Sequence, residues 1–301
     1  MSTYQGAAVV GVDGSDVSKG AVAYAAKTAA GRGIKLHVVM AYSIPSTMFA
    51  EGMAPPQQLV DHFEKEAEPA VQEAMQIARD AAPELEITGA VAEGNPAQLF
   101  IEYSREAKMI VLGSRGLGAL KGVVLGSVSA HVATNAFCPV IVTKADTVAN
   151  INESGPVVVG VDGSDNSIRA TEWAFSAAKA RGTSVLAVHT WMDPEVQAAA
   201  AGVILSEDDL ERLSGEQRTM LDDALGNLRE QYPDVEVETL VTEDRATRVL
   251  VEKSRDAQLV VVGSHGRGTF TGMLLGSTSR SLLQASYCPV MVVRPQACSS
   301  E

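Results

Sequence analysis

Short uninterrupted runs of aliphatic residues alternate along this chain with longer stretches in which apolar side chains return every three or four positions. Ala7–Val12 is the first such run and predicts a buried strand. A turn follows at Asp13–Asp16, and then Val17, Ala21, Tyr24, Ala25 and Thr28 recur at helical spacing. Lys35–Ala41 predicts a second strand. A polar, proline-bearing stretch, Ser43–Gln58, leads into an amphipathic helix that reaches about Arg79. Glu86–Ala92 predicts strand three, Pro96–Glu106 a helix, Met109–Leu112 strand four, Ser127–Asn135 the last helix and Val140–Thr143 strand five. The second half repeats this order, with strands expected over Val157–Val161, Ser184–His189, Glu236–Val241, Leu259–Val262 and Val290–Val293. Trp173 occupies the place of Tyr24. On the apolar face of its helix it reads as core packing rather than as a stacking surface for a ligand.

Strands without polar interruption are buried on both faces, and strands alternating with helices imply a parallel sheet covered on both sides. In such open sheets ligands bind beyond the carboxyl ends of the strands, where the strand order reverses. Two segments in each half carry unusual chemistry at such ends. One is the Asp-Gly-Ser turn after strand one; the other is a glycine-rich segment after strand four. If the order is 3-2-1-4-5, strands one and four are neighbours. Asp13 then faces Gly113–Gly116, and Asp162 faces Gly263–Gly266.

The repeat extends far beyond hydropathy. Gly113-Ser114-Arg115-Gly116 with Gly126-Ser127 returns 150 positions later as Gly263-Ser264-His265-Gly266 with Gly276-Ser277. Val10–Asp16 returns as Val159–Asp165, and Cys138-Pro139-Val140 as Cys288-Pro289-Val290. A repeat of this length is a duplicated domain rather than a solenoid unit, and each copy is long enough to bury its own core. The boundary is expected near Asp146–Gly155, where polar residues replace the apolar run.

Net charge is −13, which argues against a nucleic-acid or anionic-membrane binder, since either would present a basic face. No apolar run reaches the length that spans a bilayer, and the first residues show no signal-peptide pattern. The three cysteines cannot all pair; Cys138 and Cys288 read as small buried apolar residues. With no CxxC or HExxH motif and scattered histidines, a metal site built from protein ligands alone is not expected, and the compartment reads as cytoplasmic.

The glycine segment suits an anion. A helix start offers unpaired amides and partial positive charge, and Gly126-Ser127 and Gly276-Ser277 stand where the last helix of each half begins. Gly113 and Gly116 let the backbone turn and approach a ligand closely. The hydroxyls of Ser127, Ser129, Ser277 and Ser279 are candidate donors to phosphate. Equally, glycines after a strand and serines at a helix start are ordinary punctuation. Asp13 and Asp162 read either as turn-forming residues or as carboxylates for a ribose hydroxyl or a water-bridged Mg²⁺. The pattern is neither a Walker A loop nor a GxGxxG fingerprint.

On these residues the chain resembles a tandem universal stress protein of the ATP-binding type. The family's Gly-x2-Gly-x9-Gly-Ser/Thr signature is met by Gly113, Gly116, Gly126 and Ser127, and again by Gly263, Gly266, Gly276 and Ser277. The resemblance covers both halves and implies an α/β fold of two tandem Rossmann-like domains, residues 1–146 and 155–296. Each would be a five-stranded parallel sheet of order 3-2-1-4-5 flanked by helices, of the adenine nucleotide alpha hydrolase-like kind. It implies ATP with Mg²⁺ as cofactor. Val12, Asp13 and Ala41 would meet the adenosine, and Gly113, Gly116, Gly126, Ser127, Val128 and Ser129 the phosphates. In half two Val161, Asp162 and Thr190 correspond to the first group, and Gly263, Gly266, Gly276, Ser277, Thr278 and Ser279 to the second. Arg115 and His265 fall at a variable position inside the loop. The family's antiparallel pairing through strand five would join Val140–Thr143 to Val290–Val293, and a homodimer is a further implication.

Two departures distinguish the halves. The family's Gly-x-Pro-Ala before helix three is kept as Gly94, Asn95, Pro96 and Ala97 but reads Asp244, Arg245, Ala246 and Thr247 in half two. The segment after strand two, Ser43–Gln58 against Met192–Leu205, also differs and is expected to shape access and make the sites unequal. The leading expectation is a nucleotide-dependent stress-response regulator acting on a protein partner not identified by the sequence. The alternative, a slow ATPase or phosphoryl-transfer enzyme, lacks a Walker lysine and any general-base constellation.

Overall fold

The computed structural model describes residues 2–45, 54–116, 125–144, 147–148, 150–191, 206–266 and 275–294. These divide between positions 149 and 150 into two compact units. Unit one runs β1 (Ala8–Val12), α1 (Asp16–Gly31), β2 (Leu36–Tyr42), α2 (Gln57–Ala81), β3 (Ile87–Glu93), α3 (Pro96–Tyr103), β4 (Met109–Gly113), α4 (Ser127–Asn135) and β5 (Val140–Thr143). Unit two runs β6 (Val157–Gly160), α5 (Asp165–Arg181), β7 (Val185–Trp191), α6 (Glu207–Gln231), β8 (Val237–Glu243), α7 (Ala246–Lys253), β9 (Leu259–Gly263), α8 (Ser277–Ala285) and β10 (Val290–Val293).

Within unit one the strands are parallel in the order β3-β2-β1-β4-β5, and unit two has the matching order β8-β7-β6-β9-β10. This is the expected 3-2-1-4-5 arrangement in each half. The uninterrupted runs are the inner strands: every residue of β1 is buried, and so are Met109–Leu112 and Leu259–Val262. The outer strands β3 and β8 are half-exposed along their length. Largest among the fully buried side chains are Phe175, Leu36, Met109, Ile110, Leu250 and Met291.

Strand ends differ from the sequence reading by one or two residues, most at the carboxyl ends of β7 and β8. The ladder between β2 and β3 continues through Ala41↔Ala92 and Tyr42↔Glu93, and that between β7 and β8 through Thr190↔Thr242 and Trp191↔Glu243. Hydrogen bonding there outlasts the aliphatic run, because backbone pairing does not require apolar side chains. Helix α3 stops at Tyr103 rather than at Glu106, with Ser104 as its C-cap. The aromatic pair also separates: Tyr24 is buried, Trp173 is half-buried, and the core aromatic of unit two is Phe175, set 5.7 Å from the ring of Tyr232. Cys138 and Cys288 are buried, and burial pushes the Cys138 thiol up to about 12. No described helix is long and apolar enough to cross a membrane.

Candidate functional site

The Asp-Gly-Ser turn is built the same way twice. Ser15 is the N-cap of α1, accepting from the Ser18 amide, and Ser164 caps α5 by accepting from Ser167. Each serine also turns toward the aspartate before it. The Ser15 amide and hydroxyl donate to Asp13 Oδ1 at 3.1 and 2.6 Å, and those of Ser164 to Asp162 Oδ1 at 3.0 and 2.6 Å. The turn needs a positive φ at its centre, +83° at Gly14 and +75° at Gly163, a region where a Cβ is disfavoured. One carboxylate oxygen therefore shapes the turn, as the conformational reading had it.

The other oxygen serves the second expectation. β1 lies beside β4, and β6 beside β9, so the turn and the glycine segment share one end of the sheet. A Cβ placed on Gly116 would collide with Asp13 Oδ2, and one on Gly266 with Asp162 Oδ2. The carboxylate thus sits directly against the backbone of the glycine loop in both halves.

Beyond the loop, the last helix of each half begins at glycine with no side-chain cap. The Gly126 amide donates to Ser114 O at 2.6 Å and the Gly276 amide to Ser264 O at 2.8 Å, pinning each helix start to the strand-four exit. The helical ladder opens with Ala130 on Gly126 O and Arg280 on Gly276 O. The amides of Ser127, Val128 and Ser129, and of Ser277, Thr278 and Ser279, precede it and carry the partial positive charge of the helix end. The hydroxyls of Ser129 and Ser279 do not serve as expected. They donate to Gly113 O at 2.5 Å and Gly263 O at 2.7 Å and are buried, so their protons brace the loop. Residues 117–124 and 267–274, the loop interiors, lie outside the described residues, as do Met192–Leu205 and positions 46–53 of the Ser43–Gln58 stretch.

In unit two these parts enclose a cleft of about 330 Å³. Of the residues anticipated there, Val161, Asp162, Thr190, Gly263, His265, Gly266, Gly276, Ser277, Thr278 and Ser279 all line it. Sequence reasoning missed Val188, Val262, Ala246 and Leu250, which form its apolar wall. The last two stand on α7, whose approach to the strand ends is a tertiary fact; only the family's small-residue motif before helix three pointed there. In unit one the equivalent Val12 is buried, Asp13 and Ala41 are half-buried at the same strand ends, and Arg115 and Gly116 are exposed on the loop.

The surroundings of the two loops differ. Burial, and then the nearby Arg294 charge, hold the His265 pKa below the usual imidazole value. Its Nδ1 lies 3.0 Å from Ser264 Oγ. Asn166 Nδ2 donates to His265 O at 3.2 Å, whereas the equivalent Val17 only packs against Gly113. His189 clamps the strand end of unit two, with Nδ1 2.7 Å from Val161 O; unit one has Met40 there. In unit one Ser114 Oγ and Thr143 Oγ1 are buried without a hydrogen-bond partner among the described residues.

Comparison with known proteins identifies the family and the fold. A family model described as "Universal stress protein family" matches residues 7–144 and again 154–294. A universal stress protein of Mycobacterium tuberculosis (strain ATCC 25618 / H37Rv) is 41% identical over 290 residues, covering 95% of this chain and 96% of that protein. One from Mycolicibacterium smegmatis is 37% identical over 293 residues, covering 96% of this chain and 97% of its own. Among solved structures, a universal stress protein from Archaeoglobus fulgidus shares the fold with a TM-score of 0.70 at 23% identity, over 96% of this chain and 98% of that one.

Proposed function

The chain belongs to the universal stress protein family, and from that premise we propose that it is an ATP-binding regulatory protein of the stress response with one nucleotide site per half. The observation that carries this reading is the convergence at one sheet end of an apolar wall, a carboxylate and an uncapped Gly-Ser helix start. Val161, Val188, Leu250 and Val262 suit the faces of a base, Asp162 suits a ribose hydroxyl, and the amides at Ser277–Ser279 suit phosphate oxygens. Glycine at 116 and 266 keeps the cradle open where any Cβ would meet the aspartate. Mg²⁺, bound with the nucleotide, would offset phosphate charge, and Asp13 and Asp162 would be the carboxylates to hold it, one in each half. The reading takes residues 1–146 and 155–296 as the two domains, places the protein in the cytoplasm, and includes a homodimer and a regulatory protein partner. ATP occupancy would act by binding one conformation more tightly than another. Calorimetric titration of nucleotide-free protein with MgATP tests it: saturable heat is expected, and its absence overturns the reading.

A further inference from the structure

Helix α7 presents two chemically opposite faces. Ala246 and Leu250 line the nucleotide cleft. Arg248, Val251 and Glu252 fall on the opposite stripe and, with the N-cap residue Arg245, with Thr247 and with Arg255 just past the helix end, line an open groove of about 890 Å³. Arg255 lies over the ring of Tyr287, 3.8 Å from its centroid, and donates to its hydroxyl at 2.6 Å, which fixes the guanidinium beside an aromatic that is itself 44% exposed. Arg248 reaches Asp244 at 3.5 Å while its side chain stays 75% exposed. The Arg245 side chain engages no carboxylate among the described residues. The duplication supplies an internal control, since unit one carries Asn95, Ala97, Gln98, Ile101, Glu102 and Arg105 at these positions. Two arginines have therefore been gathered on one face of one half, in a chain whose acidic residues outnumber its basic ones 37 to 24.

We propose that this groove docks an acidic peptide segment of a partner protein, its carboxylates on Arg245, Arg248 and Arg255 and an apolar side chain against Val251 and Tyr287. Guanidinium forks match carboxylates in two-bond geometry, and exposed tyrosine and arginine are the side chains that anchor protein interfaces. A nucleic acid fits less well, because three arginines neutralise few phosphates while the remaining surface repels a polyanion. The groove shares α7 with the cleft, so its occupancy and that of the cleft act on one short helix; this link rests on the nucleotide reading above. The helix is suited to respond. Its first turn has no side-chain cap, whereas α3 starts with the Asn95 side chain accepting from two amides and with proline at its first position.

The test is fluorescence anisotropy of the full chain with a short labelled peptide of glutamate and aspartate around one leucine. Arg245→Asn with Arg248→Gln installs the residues of unit one and leaves the cleft side chains in place. Expected are saturable, salt-sensitive binding by the unaltered chain and about ten-fold weaker binding by the variant at unchanged circular dichroism. Equal binding by the two proteins overturns the proposal. So does equal binding of a glutamine/asparagine version of the peptide, tighter binding of a single-stranded oligonucleotide, or arginine-dependent self-association without peptide binding. Repeating the titration with MgATP, in protein whose ATP binding has been measured, should shift the peptide affinity, and an unchanged affinity severs the link. Failure of ATP to bind instead refutes the nucleotide reading and leaves the peptide measurement standing.

Discussion

The two loops that face Asp13 and Asp162 share a backbone and differ in side chains. Both aspartates shape an Asx turn through Oδ1 and oppose a glycine through Oδ2, and both last helices start uncapped on a glycine tied to the strand-four exit. Around that shared frame, unit one has Arg115, Val17 and a capped α3. Unit two has His265, Asn166 and an α7 whose starting residue, Arg245, supplies no cap bond. The difference teaches which part of the site carries the chemistry. What duplication has kept is backbone amides and glycines, which suit phosphate, and one carboxylate, which suits a ribose hydroxyl; what has drifted is the side chains that set charge and access.

The strongest way to break the comparison is to fill one cradle at a time. Gly116→Asp should remove ATP binding by unit one and Gly266→Asp that by unit two, each by more than about 100-fold, because the new side chain meets a carboxylate where the phosphates would lie. Calorimetric stoichiometry should fall from two sites to one in either variant and to none in the double variant; undiminished binding in the double variant would sink the cradle. A smaller contrast concerns the helix caps. Asn95→Ala should cost about 1 kcal/mol in urea denaturation, since Asn95 Oδ1 accepts from Ala97 and Gln98, while Arg245→Ala should leave stability within about 0.5 kcal/mol.

Comparable in size but opposite in sign, Thr143→Val should raise stability by up to about 1 kcal/mol. It replaces a buried hydroxyl that lacks a hydrogen-bond partner among the described residues with the residue found at the matching place in unit two, Val293. A loss on that substitution would mean the hydroxyl holds an ordered water. The mildest effect is on pH. The His265 pKa lies below 6.5, so the folded chain resists a proton that the unfolded chain takes up as pH falls through that value, and stability contributed by the neutral ring is present above it and declines below. A bound phosphate favours the protonated ring. ATP affinity of unit two should therefore rise by a few-fold on acidification below about 6.5, while that of unit one, which has no imidazole at that position, stays level. Titration of the two single-site variants at several pH values separates the sites, and parallel profiles would show that His265 does not meet the anion.

Much of this molecule is legible along the chain because its main determinants are local or periodic. Continuous aliphatic runs mark strands buried on both faces, and the order of elements with the repeated Gly-Ser spacing fixes the fold class and the twofold duplication. Asp13, Gly116 and their counterparts were legible as candidates, since a turn residue or a glycine beside a helix start has few physical roles. Three features were not legible. The carboxyl ends of β2 and β7 run past their aliphatic cores because ladder bonds ignore side-chain polarity. Ser129 and Ser279 were expected to donate outward, but the fold puts a strand-four carbonyl within reach of each hydroxyl, and a buried carbonyl takes the nearest proton. Ala246 and Leu250 reach the cleft, and the arginines in and flanking α7 share one groove, only through the way that helix crosses the sheet end. The sequence determined which backbone could hold a phosphate; the tertiary structure decided which side chains surround it, because a strand records its own burial pattern but not its neighbour across a loop.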